Sequence, residues 1–254
     1  MATDRFKDRV VFVTGAGSGI GRGTAEIFAR EGAKVFAVDL NEDGLKQTIA
    51  AISAAGGVAD GVACDVASMA SVRDAMTRAI STFESLDVLV NAAGVGRAIR
   101  FENMDEAEWH RVLSINLYGP FNTTKVAIEH LLKRKNANIV NVASISAMRG
   151  QAYNAHYCAS KAGLLNFTRS LALEFASRGL RANCVCPGGV KTPLVRNFTP
   201  DSDMEPHLIA YSMPPVPGKW GKPEDIANVI AFLASDEARM INGAALVADF
   251  GVLA

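Results

Sequence analysis

The sequence predicts an α/β protein of one domain, in which helices cover both faces of a parallel β-sheet. Short apolar runs rich in β-branched residues alternate along the chain with longer amphipathic segments, which is the pattern of repeated βαβ units. Most of the short runs show little polar alternation, as expected for strands that are buried on both faces. The chain has 254 residues, 49% hydrophobic and 20% charged, so its size is near the limit for one undivided domain.

Each strand is predicted from a short apolar run. In chain order the predicted strands are residues 10–14, 34–38, 58–64, 86–91, 138–142 and 181–186, with a last strand near 244–247. The amphipathic segments predict helices over residues 20–30, 42–54, 68–83, 105–133, 155–177 and 224–233. The 105–133 segment is expected to form two helices that break near Gly119 and Pro120, because a proline ring clashes inside a helix.

A proline-rich stretch interrupts the alternation late in the chain. Seven of the nine prolines lie between Pro193 and Pro223, where no strand is evident. A run of this length inside a compact domain is usually a lid or a binding loop. We therefore predict a lid at about residues 190–220, whose apolar wall would be Leu194, Val195, Phe198, Met204, Leu208, Ile209, Tyr211, Met213 and Trp220.

The charge and the cysteine content exclude several classes of protein. Lys and Arg number 26 and Asp and Glu number 26, so the formal net charge is zero and nothing favours a polyanionic partner. No apolar stretch approaches the roughly 20 residues that span a bilayer, and the charged amino terminus has no apolar segment behind it. We expect a soluble, cytoplasmic protein that binds neither nucleic acid nor membranes. The four cysteines are too scattered for a disulfide framework and are expected to be free thiols.

A glycine-rich turn directly follows the first predicted strand. Its sequence, Thr14-Gly15-Ala16-Gly17-Ser18-Gly19-Ile20-Gly21, has the spacing G-x-x-x-G-x-G and opens into a helix. It matches neither G-x-G-x-x-G nor the loop of nucleoside triphosphatases, which needs Gly-Lys-Ser/Thr. Glycines let the backbone approach a pyrophosphate, whose charge would lie against the helix amides. We therefore predict a dinucleotide-binding loop formed by Gly15, Gly17, Ser18, Gly19, Ile20 and Gly21.

Asp39 ends the second predicted strand, 18 residues after Gly21. An acidic residue at this place would accept hydrogen bonds from the ribose hydroxyls of NAD. A 2′-phosphate would bring about −1.5 to −2 charges against the carboxylate, and neither Leu40 nor Asn41 supplies a cation. The sequence thus predicts NAD rather than NADP, contacted by Asp39 and Leu40. Capping of the following helix is the alternative role for Asp39 taken alone.

Tyr157 and Lys161 stand four residues apart in a predicted helix, so their side chains share one face. A tyrosine is a poor base at neutral pH, and lowering its pKa by three units requires about 4 kcal/mol. One cation at 5 Å supplies roughly 3 kcal/mol at an effective dielectric constant of 20. The pair is therefore useful only in a sheltered cleft beside a second positive charge, such as oxidised nicotinamide. We predict that Tyr157 is the general base in alcohol oxidation and the general acid in ketone reduction.

These residues resemble the short-chain dehydrogenase/reductase family, and the resemblance covers nearly the whole chain. The family's signatures occur in order: T-G-x-x-x-G-I-G from Thr14, Asp65-Val66, Asn91-Ala92-Ala93-Gly94, Asn116, Ser144, Tyr157-x-x-x-Lys161, and Pro187-Gly188 with Thr192. The resemblance implies a doubly wound Rossmann fold with strand order 3-2-1-4-5-6-7. It also implies NAD bound across the carboxyl ends of the strands, and a homotetramer built on the long helices.

The resemblance further assigns catalytic roles. Ser144, 13 residues before Tyr157, would hydrogen-bond the substrate oxygen, and Ser146 is a nearby rival. Asn116 would help to hold a water joined to Lys161. The predicted catalytic set is therefore Asn116, Ser144, Tyr157 and Lys161.

The resemblance also assigns cofactor contacts. Asp65 and Val66 would contact the adenine. Asn91 and Gly94 would bring backbone close to the adenosine ribose, and Ala92 between them would contact the cofactor as well. The nicotinamide end would contact Tyr157, Lys161, Pro187, Gly188, Val190 and Thr192. Gly189 departs from the family's pattern and is expected to loosen this turn. The tail Ala248-Asp249-Phe250-Gly251 departs as well.

Four histidines, His110, His130, His156 and His207, never fall in metal-ligand spacing, so we predict no metal. His156 precedes Tyr157 and is expected at the surface where its helix begins, with contact to the substrate as the alternative. The arginines at 97, 100 and 149 could reach the mouth of the cleft and accommodate an acid.

The predicted function is an NAD(H)-dependent oxidoreductase that interconverts a secondary alcohol and a ketone. The apolar lid favours a moderately lipophilic or ring-bearing alcohol. Two alternatives stay open: a carbonyl reductase that works mainly in the reductive direction, and a non-catalytic dinucleotide-sensing or scaffold protein on the same fold. The complete catalytic set favours an enzyme, because a binding protein has no need of it.

Overall fold

Seven parallel strands form one sheet in the order β3-β2-β1-β4-β5-β6-β7. The structure is a computed structural model that describes residues 4–199, 202–211, 213–216 and 218–254, so Pro200 and Pro217 of the predicted lid lie outside the described residues. The strands are β1 Val10–Thr14, β2 Lys34–Asp39, β3 Val58–Ala63, β4 Val88–Asn91, β5 Asn138–Val142, β6 Arg181–Pro187 and β7 Ala245–Ala248. The fold class and the strand order predicted from the sequence are confirmed.

Eight α-helices accompany the strands in the described residues. They are α1 Gly19–Arg30, α2 Glu42–Ala54, α3 Met69–Phe83, α4 Glu106–Leu113, α5 Gly119–Leu131, α6 Ala155–Glu174, α7 Pro206–Ala210 and α8 Pro223–Ala234. Side-chain caps fix three of the starts: Asn41, Ser68 and Asp105 each accept a backbone N–H from the first turn of α2, α3 and α4. Most predicted bounds differ from these by one to three residues.

The predicted break near Gly119 and Pro120 is not a break. One turn of π-helix, Ser114–Tyr118, joins α4 to α5, and the backbone at Tyr118 and Gly119 stays helical. A proline in an α-helix clashes with the carbonyl four residues earlier, which here is the carbonyl of Asn116. The wider π turn lies where that clash would occur, and Pro120 has no N–H to donate to Asn116.

Two apolar cores lie on opposite faces of the sheet. On one face, α1, α2 and α8 pack against the strands through residues such as Phe28, Ile52 and Ile230. On the other face, α3, α5 and α6 pack through residues such as Met76 and Leu131. The helices therefore leave the carboxyl edge of the sheet open, and this edge is where ligands bind in open α/β sheets.

The lid follows β6. It contains a 3-10 helix, Pro193–Phe198, and the short helix α7, neither of which was predicted. Both of its ends are fixed, because Val190 pairs with Gly221 and the N–H of Gly221 donates to the carbonyl of Gly189 at 3.0 Å.

Gly189 does not loosen the turn, contrary to the prediction. A Cβ at Gly189 would lie 2.7 Å from two ring carbons of Trp220, so the indole ring occupies the space that a side chain at this position would fill. The tail that departs from the family's pattern is ordered around Asp249, which accepts the N–H groups of Gly251 and Leu253 at 2.9 Å. In the part of the chain that the structure describes, no helix is long and apolar enough to span a membrane.

Candidate active site

The glycine-rich turn between β1 and α1 has room for no side chain at two positions. Gly15 has a φ of +67°, and a Cβ there would lie 2.8 Å from the Cα of Ala93. A Cβ at Gly21 would lie 2.1 Å from the carbonyl oxygen of Gly15. The turn is therefore closed against the segment that follows β4, and its bare backbone forms one wall of a cleft.

The carboxylate of Asp39 is fixed at the edge of this turn. Its Oδ2 accepts the N–H of Gly17 at 2.8 Å, and its Oδ1 accepts the N–H of Asn41 at 2.8 Å. Asn41 rather than Asp39 caps α2, so the capping alternative for Asp39 is not supported. The carboxylate instead joins the end of β2 to the glycine turn, at the place where a ribose would bind.

Arg22 is a residue of this region that sequence reasoning missed. Its Nη2 donates to the carbonyl of Gly17 at 2.6 Å and to that of Gly44 at 3.1 Å. The guanidinium therefore joins α1, the glycine turn and α2. Only Leu40 and Asn41, which follow Asp39, were weighed from the sequence as sources of a cation. Arg22 lies in the first turn of α1, and nothing in the sequence indicates that it contacts Gly17 and Gly44.

A cleft of about 260 Å³ lies along the turn. Twelve of the predicted cofactor residues line it: Gly15, Ser18, Gly19, Ile20, Gly21, Asp39, Leu40, Asp65, Val66, Ala92, Gly94 and Thr192. The bare glycines, the fixed carboxylate and the narrow shape together fit an adenosine diphosphate group, which needs close backbone approach and a ribose acceptor.

A larger cavity of about 480 Å³ adjoins this cleft, and the two share five wall residues, Ile20, Ala92, Gly94, Thr192 and Leu194. Ser144, Tyr157 and Lys161 lie on its inner wall, together with the predicted nicotinamide contacts Pro187, Gly188, Val190 and Thr192. Seven of the nine predicted lid residues form the opposite wall: Leu194, Val195, Phe198, Met204, Ile209, Met213 and Trp220. Leu208 and Tyr211 do not line the cavity.

Tyr157 and Lys161 are both buried in the first half of α6, with 9% and 4% of their surfaces exposed. The Nζ of Lys161 lies 5.7 Å from the centre of the Tyr157 ring. Burial raises the pKa of Tyr157 to about 12, an effect that the hydroxyl of Ser144 partly offsets. Burial also lowers the pKa of Lys161 to about 8. The cleft is therefore sheltered enough for charge interactions between these groups to be strong.

A glycine also allows the tyrosine ring to approach the lid. The ring of Phe198 packs edge-on against the ring of Tyr157, with the ring centres 5.1 Å apart. A Cβ at Gly96 would lie 2.7 Å from both rings. Tyr157 of α6 therefore contacts the lid directly.

Ser144 follows β5 and faces the same cavity. Its Oγ accepts the N–H of Ser146 at 3.1 Å and donates to the Oγ of Ser146 at 3.1 Å. Ser146 in turn donates to Oε1 of Gln151 at 2.7 Å. The two serines therefore belong to one hydrogen-bonded series, and Ser144 is the member that affects the pKa of Tyr157.

Asn116 is fully buried in the π turn. Its side chain accepts the N–H of Val95 at 2.8 Å and donates to the carbonyl of Val95 at 2.8 Å and to the Oγ of Ser160 at 3.1 Å. A Cβ at Gly94 would lie 3.4 Å from both the Oδ1 of Asn116 and the Nζ of Lys161. The structure thus brings Asn116 and Lys161 to the same place, although the Asn116 side chain contacts protein groups and lines neither cavity.

Two predicted cofactor residues lie away from the cavities. The side chain of Asn91 is 2% exposed, and it donates to Asn141 at 2.8 Å and accepts from Thr123 at 2.7 Å. Its side-chain amide is thus occupied within the sheet, and the approach of the Asn91 backbone to the adenosine ribose stays a prediction. Gly17 touches neither cavity wall, because its N–H is directed to Asp39.

The three arginines predicted at the cleft mouth have other partners. Arg97 lies 3.2 Å from Glu108, Arg100 lies 2.9 Å from Asp203, and Arg149 donates to the carbonyl of Tyr211. None of them lines the larger cavity, whereas Arg196 of the lid does.

His156 is not at the surface, contrary to the expectation. It is completely buried, and its Nε2 lies 3.5 Å from the carboxylate of Glu108. Among the described residues, neither ring nitrogen has a hydrogen-bond partner. In the described ranges no three His, Cys, Asp or Glu side chains lie close enough together to hold a metal ion.

Comparisons with known proteins agree with this fold. A family model described as enoyl-(acyl carrier protein) reductase matches residues 15–253. The chain is 38% identical over 253 residues to 2-(S)-hydroxypropyl-CoM dehydrogenase 3 of Xanthobacter autotrophicus, with 99% of each protein covered.

Two solved structures are similar over the whole chain. The 3-ketoacyl-(acyl-carrier-protein) reductase from Brucella melitensis, complexed with NADH, has a TM-score of 0.88 and 34% identity, covering 97% of this chain and 99% of that one. A short chain dehydrogenase from Burkholderia cenocepacia in complex with NADP has a TM-score of 0.89 and 31% identity, covering 98% and 100%.

The fold and the paired cavities define a nicotinamide dinucleotide-dependent oxidoreductase that acts on CH–OH groups. The chain belongs to the short-chain dehydrogenase/reductase family.

Proposed function

We propose that this protein is an NAD(H)-dependent dehydrogenase that interconverts a secondary alcohol and a ketone, with Ser144, Tyr157, Lys161 and Asn116 as its catalytic set and without a metal. The observation that carries the proposal is the position of Tyr157, which lies buried beside Lys161 and Ser144 where the larger cavity adjoins the dinucleotide cleft. One domain would thus hold both cofactor and substrate.

The residues of the chain divide the chemistry between them. Bound NAD would supply the hydride acceptor and a positive charge. Tyr157 takes the hydroxyl proton of the alcohol at Oη, and the ammonium of Lys161 favours the tyrosinate that results. The Oγ of Ser144 donates to the substrate oxygen in the reductive direction and stabilises the negative charge that develops there.

Asn116 supports Tyr157 and Lys161 without lining the cavity. Pro120 cannot donate to the backbone carbonyl of Asn116, and the π turn holds that residue beside Lys161. We propose that this carbonyl, rather than the occupied side-chain amide, holds the water that joins Lys161 to solvent. The side chain of Asn116 fixes the loop at Val95.

The preference for NAD over NADP rests on Asp39. Its carboxylate would accept from the ribose hydroxyls and repel a 2′-phosphate. Arg22 is near, yet its Nη2 donates to two backbone carbonyls under the turn. These bonds direct Nη2 toward the backbone, while Nε has no hydrogen-bond partner among the described residues. Asp39, whose carboxylate lies at the cleft, is expected to decide the preference.

The substrate would be a moderately lipophilic or ring-bearing alcohol, because most of the lid residues that line the cavity are apolar, with Thr192, Arg196 and Thr199 as the polar ones. A homotetramer is supported by apolar side chains that are exposed on α5, α6 and the π turn, among them Tyr118, Phe121 and Leu173. Sedimentation of the purified protein at four times the chain mass of 26.9 kDa would be the expected result.

A panel of secondary alcohols with NAD, and of the matching ketones with NADH, tests the function through absorbance at the reduced nicotinamide band. Turnover of alcohols supports the proposal. Turnover confined to ketones would favour the carbonyl reductase instead. Binding of NAD without turnover of any member of the panel would favour a dinucleotide-sensing protein.

A further inference from the structure

Gln151 is a polar residue of the larger cavity that lies outside the proposed catalytic set and is joined to it by hydrogen bonds. It lies in the loop between the 3-10 helix Ile145–Ala147 and α6, six residues before Tyr157, and it lines the cavity on the catalytic side. It ends the hydrogen-bonded series that begins at Ser144, with separations of 3.1 Å and 2.7 Å along the two bonds. The series therefore places an amide group two hydrogen bonds away from the reacting centre.

Among the described residues, only the oxygen of the Gln151 side-chain amide has a hydrogen-bond partner. A glutamine side chain has one acceptor oxygen and an NH2 group with two donors. The oxygen accepts from Ser146 at 2.7 Å, so the NH2 group takes no part in this bond. The described residues offer no hydrogen-bond partner to the NH2 group. The catalytic wall therefore presents a donor to whatever occupies the cavity.

The surroundings make this donor selective. The opposite wall is formed largely by apolar lid residues such as Leu194, Val195 and Met204, which offer a substrate oxygen no hydrogen-bond donor; Arg196 and Thr199 are polar lid residues that also line the cavity. A ligand that covers the amide without an acceptor leaves buried N–H groups unpaired, and this is how hydrogen-bonding sites reject analogues that lack an oxygen.

We propose that Gln151 determines specificity by donating from Nε2 to a second oxygen atom of the substrate, close to the carbon that is oxidised. The substrate class is then a secondary alcohol with an oxygen on the neighbouring or next carbon, such as a diol, a hydroxyketone or a hydroxyester, on an otherwise apolar body. This inference rests on the proposed dehydrogenase function and narrows it.

Matched alcohols test the proposal directly. Cyclohexanol is paired with cis-1,2-cyclohexanediol, and 1-phenylethanol with 1-phenyl-1,2-ethanediol, and kcat/KM is measured with NAD for each. The oxygen-bearing member of a pair is expected to be favoured about tenfold, the effect of one hydrogen bond to a neutral acceptor. In Gln151→Leu the ratio within each pair should fall to near one, whatever loss the two members share.

Two further variants separate the donor from general polarity. Gln151→Glu keeps the size of the side chain and replaces its donors by acceptors, so the ratio should fall below that of Gln151→Leu. Thr199→Val removes a polar group from the lid side of the same cavity, and the ratio should stay at its original value.

The outcomes distinguish this inference from the function on which it rests. Equal kcat/KM within the pairs, or a preference that survives Gln151→Leu, overturns the role of Gln151 and leaves the dehydrogenase intact. A preference lost equally in Thr199→Val also overturns it. No turnover of any pair in either direction overturns both.

Discussion

The ammonium of Lys161 donates a hydrogen bond to the carbonyl of Val142 at 2.8 Å, from a position that is 4% exposed. One carbonyl compensates only part of the cost of burying a charged amine. For this reason burial lowers the pKa of Lys161 from 10.5 to about 8. The residue that the proposed reaction needs is thus a destabilising one.

Lys161→Met is expected to stabilise the folded protein at pH 7. Below pH 8 both the folded and the unfolded chain hold the proton, so the folded state carries the full cost of burial, at most about 3 kcal/mol for this lowering of the pKa. As the pH rises through 8 the folded state loses the proton first, and by about pH 10.5 the cost is gone. Urea unfolding at pH 7 and at pH 10 measures this. A variant that is less stable at both values would contradict the argument.

Tyr157→Phe is expected to abolish NADH production while NAD binding is kept, because the change removes only the group that exchanges the proton. Tyr153→Phe is the matched control. Its hydroxyl lines the same cavity and accepts the N–H of Glu205 at 3.1 Å. Initial rates and NAD titration are compared for both variants. More than a few percent of turnover in Tyr157→Phe would remove this residue from its acid–base role.

Asp39→Ala is expected to relax the preference for NAD. A charged acceptor contributes about 1.5–3 kcal/mol, so the ratio of kcat/KM for NAD to that for NADP should fall at least tenfold. Asp43→Ala, in the exposed first turn of α2, should leave the ratio unchanged. An unaltered ratio in Asp39→Ala would show that Asp39 does not select NAD, and Arg22 would then be the next residue to substitute.

His156→Gln should reduce the loss of stability below pH 6.5. Burial lowers the pKa of His156, while Glu108 opposes this and the guanidinium groups of Arg97 and Arg111 reinforce it. The unfolded chain therefore takes up a proton that the folded protein resists, and stability falls as the pH drops through 6.5. Unfolding between about pH 7.5 and pH 5.5 measures the slope, with the exposed His207→Gln as control. The same slope in His156→Gln and in the original protein would be inconsistent with a neutral buried imidazole.

Gly189→Ala should disturb the lid, since the added Cβ would overlap the Trp220 ring at 2.7 Å. Overpacking of this kind costs typically 1–3 kcal/mol. The expected results are a lower melting temperature and a higher KM for the alcohol. Gly150→Ala adds the same methyl group where nothing lies within 4 Å, and it should change neither quantity. Equal behaviour of the two variants would show that Gly189 is not a packing site.

Strands and phosphate turn could be predicted because their signals are local. β1 begins with four consecutive apolar residues, Val10 to Val13, and Gly15 occupies a left-handed conformation that glycine adopts without steric cost. The side-chain partners of Asn91 could not be predicted, because its place at a strand end gives no sign of Asn141 and Thr123, which lie 50 and 32 residues away in sequence.

The remaining misses have the same origin. His156 begins a helix, and its burial depends on Glu108 of another helix, to which the sequence gives no pointer. Gln151 and Arg22 likewise gain their roles from contacts across loops. The pairing of Tyr157 with Lys161 could be predicted from the sequence, because both residues share one face of one helix.

Trp220 gives the enzyme a built-in optical probe. Its indole ring rests on Gly189 and lines the substrate cavity, whereas the other tryptophan, Trp109, lies on α4 and lines neither cavity. Trp109→Phe would leave a single emitting ring at the cavity wall. Its fluorescence would then report ligand entry and lid movement in real time, without any label and in the absence of turnover.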